Sequence, residues 1–351
     1  MRFFLSMIAL FLAVPLLLNG PALADEPAVG YHRLKTISLG AAEGGGEYFD
    51  YITFDNTGRR IFLSHGTEFM VLDADTDKVL GTIRGLKRCH GIALVDELGK
   101  GFITDGDAGT VVVVDLKTLK KTSIIKAAPD ADAILYDPAS KHIFSFNGES
   151  RNATVIDPKT NTVVGTIDLG GAPENAVADG KGTVYNNNEE KNDVVVIDSS
   201  KLSIKTRWPL SPAGGPTAIA LDPEHHRLFS AGRDPQQLVI LNTDNGKVIQ
   251  SFPISTGVDS TVYEPSTGFV FCSTREGMIH IFHEDTPDKF SVVENVKTEF
   301  GAKTMALDPK THNLYVTTSD FGPTPAATPD HPHPRPPAIP GTFRLLIYTR
   351  P

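Results

Sequence analysis

The 351 residues carry 42 acidic side chains against 33 Lys and Arg, a formal net charge of -9, and no run of basic residues. That balance excludes a nucleic-acid groove, which needs clustered cations to release phosphate counterions. Two cysteines, Cys89 and Cys272, exclude a disulfide-stapled scaffold, and the chain is longer than the ~250–300 residues at which single cores stop growing.

The chain opens with "MRFFLSMIALFLAVPLLLNGPALADEP". An early Arg2, an apolar stretch from Phe3 to Leu18 and small residues at Ala22 and Ala24 describe a signal peptide over residues 1–24, cleaved before Asp25. The expected mature protein, 25–351, is periplasmic or secreted. It has no membrane span after signal removal, because no later segment approaches the ~20 apolar residues a crossing needs.

From there a unit repeats. "AILYDPASKHIFSFN" (133–147), "AIALDPEHHRLFSAG" (218–232), "STVYEPSTGFVFCST" (260–274) and "TMALDPKTHNLYVTT" (304–318) share an apolar strand, an acidic residue with Pro, a polar turn and an aromatic that opens a second strand. Aligned on the acidic position, the series is Asp55, Val95, Asp137, Asp179, Asp222, Glu264 and Asp308, with spacings of 40 to 44 residues. The aromatics are Phe62, Phe102, Phe144, Tyr185, Phe229, Phe271 and Tyr315. Third and fourth strands follow, as in "ATVIDPKTNTVVGTI", joined by a tight Asp-x-x-Thr turn. Repeats of this period with four strands each are propeller blades. The predicted fold is all-β, a seven-bladed β-propeller of four-stranded antiparallel blades in one domain.

The last unit ends on its third strand, "FRLLIYTRP", while "YHRLKTISLG" (31–40) resembles "VVGTIDLGG" (163–171), which closes the third repeat. The N-terminal strand is therefore expected to complete the last blade and leave no open edge there.

Two columns of the alignment are expected to ring one mouth of the central channel. Five residues before the anchor stand Asp50, His90, Asp132, Glu174, Thr217, Asp259 and Lys303; three after the aromatic stand His65, Asp105, Asn147, Asn188, Gly232, Thr274 and Thr318. At an effective dielectric of ~20, two carboxylates ~8 Å apart repel by roughly 2 kcal/mol, so four around one mouth call for bound protons, for Lys303 and His90, or for a cation. Asp50, His90, Asp132, Glu174 and Asp259 are candidate metal ligands. Their oxygens suit Ca²⁺ or Mg²⁺, and with imidazole the choice widens to Mn²⁺ or Zn²⁺. Lys303, His65, Asp105, Asn147 and Asn188 complete the candidate ligand-binding set.

Of the remaining features, the Pro-rich insertion at 321–343, with His331 and His333, is placed on the same face, as a lid or as a docking arm. Cys89 and Cys272 fall in different blades, without a bridge, and Cys272 is expected to be buried. His225 and His226 occupy a polar turn on the opposite side and are expected to face solvent. No catalytic Ser-His-Asp elbow or phosphate-cradling Gly loop is present.

"GGPTAIALDPEHHRLFSAG" and "THNLYVTTSD" resemble the YVTN-repeat propellers, in particular the YncE-like exported proteins of bacteria. The resemblance spans 31–351 and implies the propeller fold without a single reaction. The ring column also resembles that of gluconolactonase-type propellers, which place divalent-metal ligands at the starts of inner strands. At the matching turns, "APENAV" and "GPTAIA", this chain has Glu174, which could serve as a ligand, and Thr217, which departs from the pattern. Two functions stay open: a ligand-binding or protein-interaction module acting through a charged mouth, or a divalent-metal-assisted hydrolase or lyase. The expected partner is a small molecule or an envelope protein, and the expected state is a monomer.

Overall fold

The computed structural model describes residues 29–328 and 334–351; the expected signal peptide and both His331 and His333 lie outside them. The described residues form seven four-stranded antiparallel sheets arranged as propeller blades. In each the first strand lies innermost, and successive inner strands contact one another around the full circuit, from Ile52–Asp55 through Cys89–Val95 to Met305–Asp308 and back.

The sequence pattern explains the layering. Second and third strands such as Lys100–Asp105 and Thr110–Asp115 are buried on both faces, because each blade packs against a neighbour on either side, and they read as continuous apolar runs. Fourth strands such as Thr162–Asp168 stand at the rim and are mostly exposed. The repeated aromatics fill the seams: Phe62, Phe102, Phe144, Phe229 and Phe271 are fully buried, and Tyr315 nearly so. Each core cluster accordingly spans two blades, as where Ile61 and Leu63 of blade one meet Tyr315, Leu345 and Ile347 of blade seven.

The Asp-x-x-Thr turns behave as side-chain-capped turns. Asp73 Oδ1 accepts hydrogen bonds from the amides of Asp75 (3.1 Å) and Thr76 (2.7 Å) and from the Thr76 hydroxyl (2.8 Å), and Asp77 follows at φ 61°. Asp115 repeats the arrangement with Lys117 and Thr118.

The ring closes as expected. His32–Gly40 pairs antiparallel with Phe343–Thr349 and forms the outer strand of blade seven. A charged clasp reinforces the junction of blades seven and one: Arg59 donates to both oxygens of fully buried Asp308, at 2.7 and 2.6 Å. Arg59→Ala strands that carboxylate, and the expected loss is about 2–3 kcal/mol in urea unfolding at pH 7. A loss within error would show that the clasp contributes nothing to closure.

Both cysteines are free and buried. Cys89 Sγ lies 3.2 Å from the carbonyls of Gly66 and Glu68, and burial pushes its thiol up to about 12.

Candidate functional site

The ring column sits at the entrance to each inner strand. There the pairing with the second strand slips, between Cys89 and Ile92, Ala131 and Ile134, Pro173 and Ala176, and Val258 and Ser260. A bulge of this kind re-aims the side chains at the strand start. Hydroxyls two residues after the aromatics fix the local backbone. Ser64 Oγ accepts from the Asp50 amide (2.7 Å), Ser273 donates to the Lys303 carbonyl (2.6 Å), and Thr104 donates to the Asp132 carbonyl. Thr304 adds a bond to the Asp50 carbonyl (2.6 Å). These bonds tie blade two to three, six to seven and seven to one at the level of the charged ring.

The side chains form an alternating circuit. Arg233 pairs with Asp259, and Asp259 pairs with Lys303. Lys303 Nζ donates to Asp50 Oδ1 at 2.8 Å. Asp50 Oδ2 lies 2.7 Å from His90 Nδ1 and accepts from the Tyr48 hydroxyl at 2.7 Å. His90 Nδ1 also lies 3.0 Å from Asp132 Oδ1. At the other end Arg233 reaches Glu189 at 3.0 Å and Glu174 at 3.7 Å. Blades four, five, six, seven, one, two and three thus contribute Glu174, Arg233, Asp259, Lys303, Asp50, His90 and Asp132 in turn. Among the described residues charges alternate except at one junction, where Asp132 of blade three and Glu174 of blade four are neighbours without an ion-paired cation between them.

The electrostatics follow that order. Burial pulls the Lys303 ammonium down, but Asp259 and Asp50 hold it above its ordinary value. Burial pushes Asp259 up, but Lys303 and Arg233 outweigh it and hold the carboxyl below the usual range; Lys303 and His90 do the same for Asp50. Burial disfavours the His90 imidazolium, yet Asp132 and Asp50 push it up to about 10. The two acids at the break move the other way. Burial raises Asp132 despite His90, and it raises Glu174 well above the carboxylate range despite Arg233, with Asp132 adding to the rise. The single Nδ1 proton of His90 serves Asp50, so Asp132 Oδ1 is left buried without a hydrogen bond among the described residues. A cavity of about 160 Å³ adjoins this break, lined by Tyr51, Ala133 and Asn175 among others.

The expected second column is drawn elsewhere. His65 Nε2 meets Glu47 at 2.8 Å, and its ring stacks on Phe343. Asp105 caps the amides of Lys87 and Arg88 at 2.9 and 3.0 Å. Asn147 bonds Asn152 and Thr154, and Asn188 bonds the Leu169 carbonyl. All four hold turns. Thr217 likewise turns back to the Gly215 carbonyl, and Arg233 stands in the ring for blade five. The base of the Pro-rich insertion is pinned by hydrogen bonds from the Gly322 amide to the Pro337 carbonyl (2.8 Å) and from the Ile339 amide to the Asp320 carbonyl (2.7 Å). Phe321 packs there on Phe300, and the Arg275 guanidinium lies over both rings.

Among the described residues, two groups could hold a metal ion: Asp50, His90 and Asp132 in the ring, and Asp222, His225 and Glu284 away from it. No helix there is long and apolar enough to cross a membrane.

These features define a seven-bladed β-propeller with a charge-paired ring at the entrance to its inner strands. Within that class the chain is similar, over part of its length, to the YncE proteins. It is 32% identical over 160 residues to "Uncharacterized protein YncE" of Salmonella typhi and 31% identical to its counterpart in Salmonella typhimurium. Each match covers 43% of this chain and 45% of the relative, so the chain matches less than half the length of either relative. No protein-family model matches. Among solved structures, the Kuenenia stuttgartiensis Hydrazine Synthase aligns with a TM-score of 0.68 at 15% identity, covering 79% of this chain and 94% of that one. A chain of the Mitotic Checkpoint Complex aligns at 0.72 and 12%, covering 97% and 99%. At these identities the likeness is one of fold.

Proposed function

We propose that this propeller is an exported binding module whose charged mouth recognises a small ligand through a cationic group. One observation carries the reading: among the described residues the alternation of charge around the ring breaks at Asp132 and Glu174, two carboxyls of raised proton affinity with no ion-paired cation between them, next to a cavity lined by the residues that follow them, Ala133 and Asn175. An ammonium or guanidinium placed there would supply the missing charge and accept no competing bond. Arg233 and His90, locked on either side, would set the ligand's orientation.

A second reading, a divalent-metal-assisted hydrolase or lyase, is favoured by the convergence of Asp50, His90 and Asp132. In it the ion would bind at His90 Nδ1 and supply Lewis-acid chemistry. Against it stands the proton that Asp50 and Asp132 hold on that nitrogen. With His90 pushed up to about 10, a metal at pH 7 must displace that proton, which lowers its apparent affinity roughly a thousandfold.

A panel of alkylamines, diamines, amino acids and divalent chlorides, read by thermal shift, separates the two. The expected result is a rise in Tm with one or more amines, absent in Asp132→Asn/Glu174→Gln. A panel silent for amines, or a shift that survives in that variant, overturns the first reading. A divalent-ion shift lost in His90→Gln would install the second.

A further inference from the structure

We infer that Asp222, His225 and Glu284 form a divalent-cation site at the seam between blades five and six, suited to Zn²⁺ or Mn²⁺. The site is independent of the ring.

The inference starts from a comparison of equivalent seams. At two seams the residue four after the anchor acid approaches the anchor of the preceding blade. Arg59 grips Asp308 in this way, and His312 Nδ1 meets Glu264 at 2.7 Å. The corresponding residue of blade six is Gly268, which brings no charge to Asp222. The place is taken by an acid, Glu284, from the long third strand Met278–Thr286. Two carboxylates therefore meet where the next two seams pair a carboxylate with Arg59 or His312. Both side chains are 3% exposed.

Each carboxylate uses one oxygen internally. Asp222 Oδ1 accepts from the Glu224 amide (3.0 Å), and Glu284 Oε2 accepts from the Tyr263 hydroxyl (2.8 Å). The remaining oxygens, Asp222 Oδ2 and Glu284 Oε1, are buried and receive no hydrogen bond among the described residues. Both converge on His225 Nδ1, at 2.7 and 3.1 Å, without the alignment of a donated N–H. Burial disfavours the His225 imidazolium, but Asp222 and Glu284 outweigh it, so a metal here too displaces a proton; the side chain is 43% exposed, and that proton passes to water while the neutral imidazole turns Nδ1 inward and keeps its other proton. One nitrogen and two carboxylate oxygens neutralise a divalent ion and leave a position for water, the donor mix that suits Zn²⁺ or Mn²⁺ better than Ca²⁺.

The full chain, stripped with EDTA and titrated with ZnCl₂ or MnCl₂ by calorimetry, tests this. Wild type is expected to take up one equivalent and to gain Tm. His225→Ala and Glu284→Gln should weaken that affinity roughly tenfold or more, since even outer-shell changes at such sites cost that much. Asp132→Asn should bind as wild type does. Because His225 is half-exposed, His225→Ala is expected to fold, which circular dichroism checks. Absence of binding in wild type, an unchanged isotherm in His225→Ala, or loss only in Asp132→Asn overturns the assignment.

Discussion

Lys303→Met is expected to cost the fold roughly 3–5 kcal/mol at pH 7, among the largest single-residue losses available in this chain. Met keeps the length and apolar stem of Lys303, so the variant removes the charge with little change in volume. Two buried carboxylates, Asp50 and Asp259, then lose their shared partner; each is 6% exposed. The pH dependence has a fixed sign. In wild type both acids are held below their ordinary values, so their contribution is present above the unfolded carboxylate pKa and is lost as pH falls through the folded values. Without Lys303 each acid loses its largest favourable charge and keeps only Arg233 or His90, so both carboxyls rise and the variant loses less stability on acidification than wild type does. Urea unfolding should therefore show the gap between the two narrowing from pH 7 towards pH 4. Adding Asp259→Asn should recover part of the loss. A gap constant with pH would mean that Lys303 acts through packing, and the ring would lose its electrostatic account.

Lys303 also marks the boundary of what could be read from residues alone. The propeller was legible because every blade repeats one solution: a buried aromatic at the seam, a side-chain-capped turn and an acid at the end of the inner strand. Closure was legible because the N-terminal strand resembles other fourth strands. The ring column was legible too, since charged residues stood where a blade needs only a small polar one. Lys303 and His90 were legible as compensating charges, but the partners from outside the column were not. Arg233 enters from the end of a second strand, one residue past Gly232, and takes the place that alignment assigns to Thr217. Tyr48 reaches Asp50 from the segment before blade one. In the other column His65, Asp105, Asn147 and Asn188 share a depth in the blade, but they turn to Glu47, to loop amides and to neighbouring turns. A column sets position along a strand; the direction of each side chain depends on its local bonds. His225 illustrates the same limit. It was expected to face solvent, and it does so on one edge, while its other edge meets two buried acids. One of them, Glu284, comes from a strand that extends beyond its counterparts in other blades.

The break in the ring has the opposite signature from Lys303. Asp132→Asn/Glu174→Gln is expected to stabilise the ligand-free protein by about 1–3 kcal/mol at pH 7. Both carboxyls bind protons more tightly in the folded chain than in the unfolded one. Wild type is therefore most stable with respect to this pair at low pH and loses that stability as pH rises through the folded values. The amides remove the titration, so wild type and variant should converge near pH 4 and separate towards pH 7, with the variant above. The variant weakens two contacts: the 3.7 Å approach of Arg233 to Glu174, where Arg233 keeps Asp259 and Glu189 as stronger partners, and the 3.0 Å approach of His90 to Asp132, where His90 keeps Asp50. Thermal melts across that range decide it: destabilisation at pH 7, or a gap independent of pH, would show that Asp132 and Glu174 are already compensated. If the predicted gain appears, the wild-type chain keeps two acids that lower its own stability at the one place where the ring lacks a cation. A fold threshold alone does not maintain such a pair, whereas a site that must present negative charge to a ligand does. The size of the gain then bounds the favourable electrostatic contribution available to a bound cation at that site.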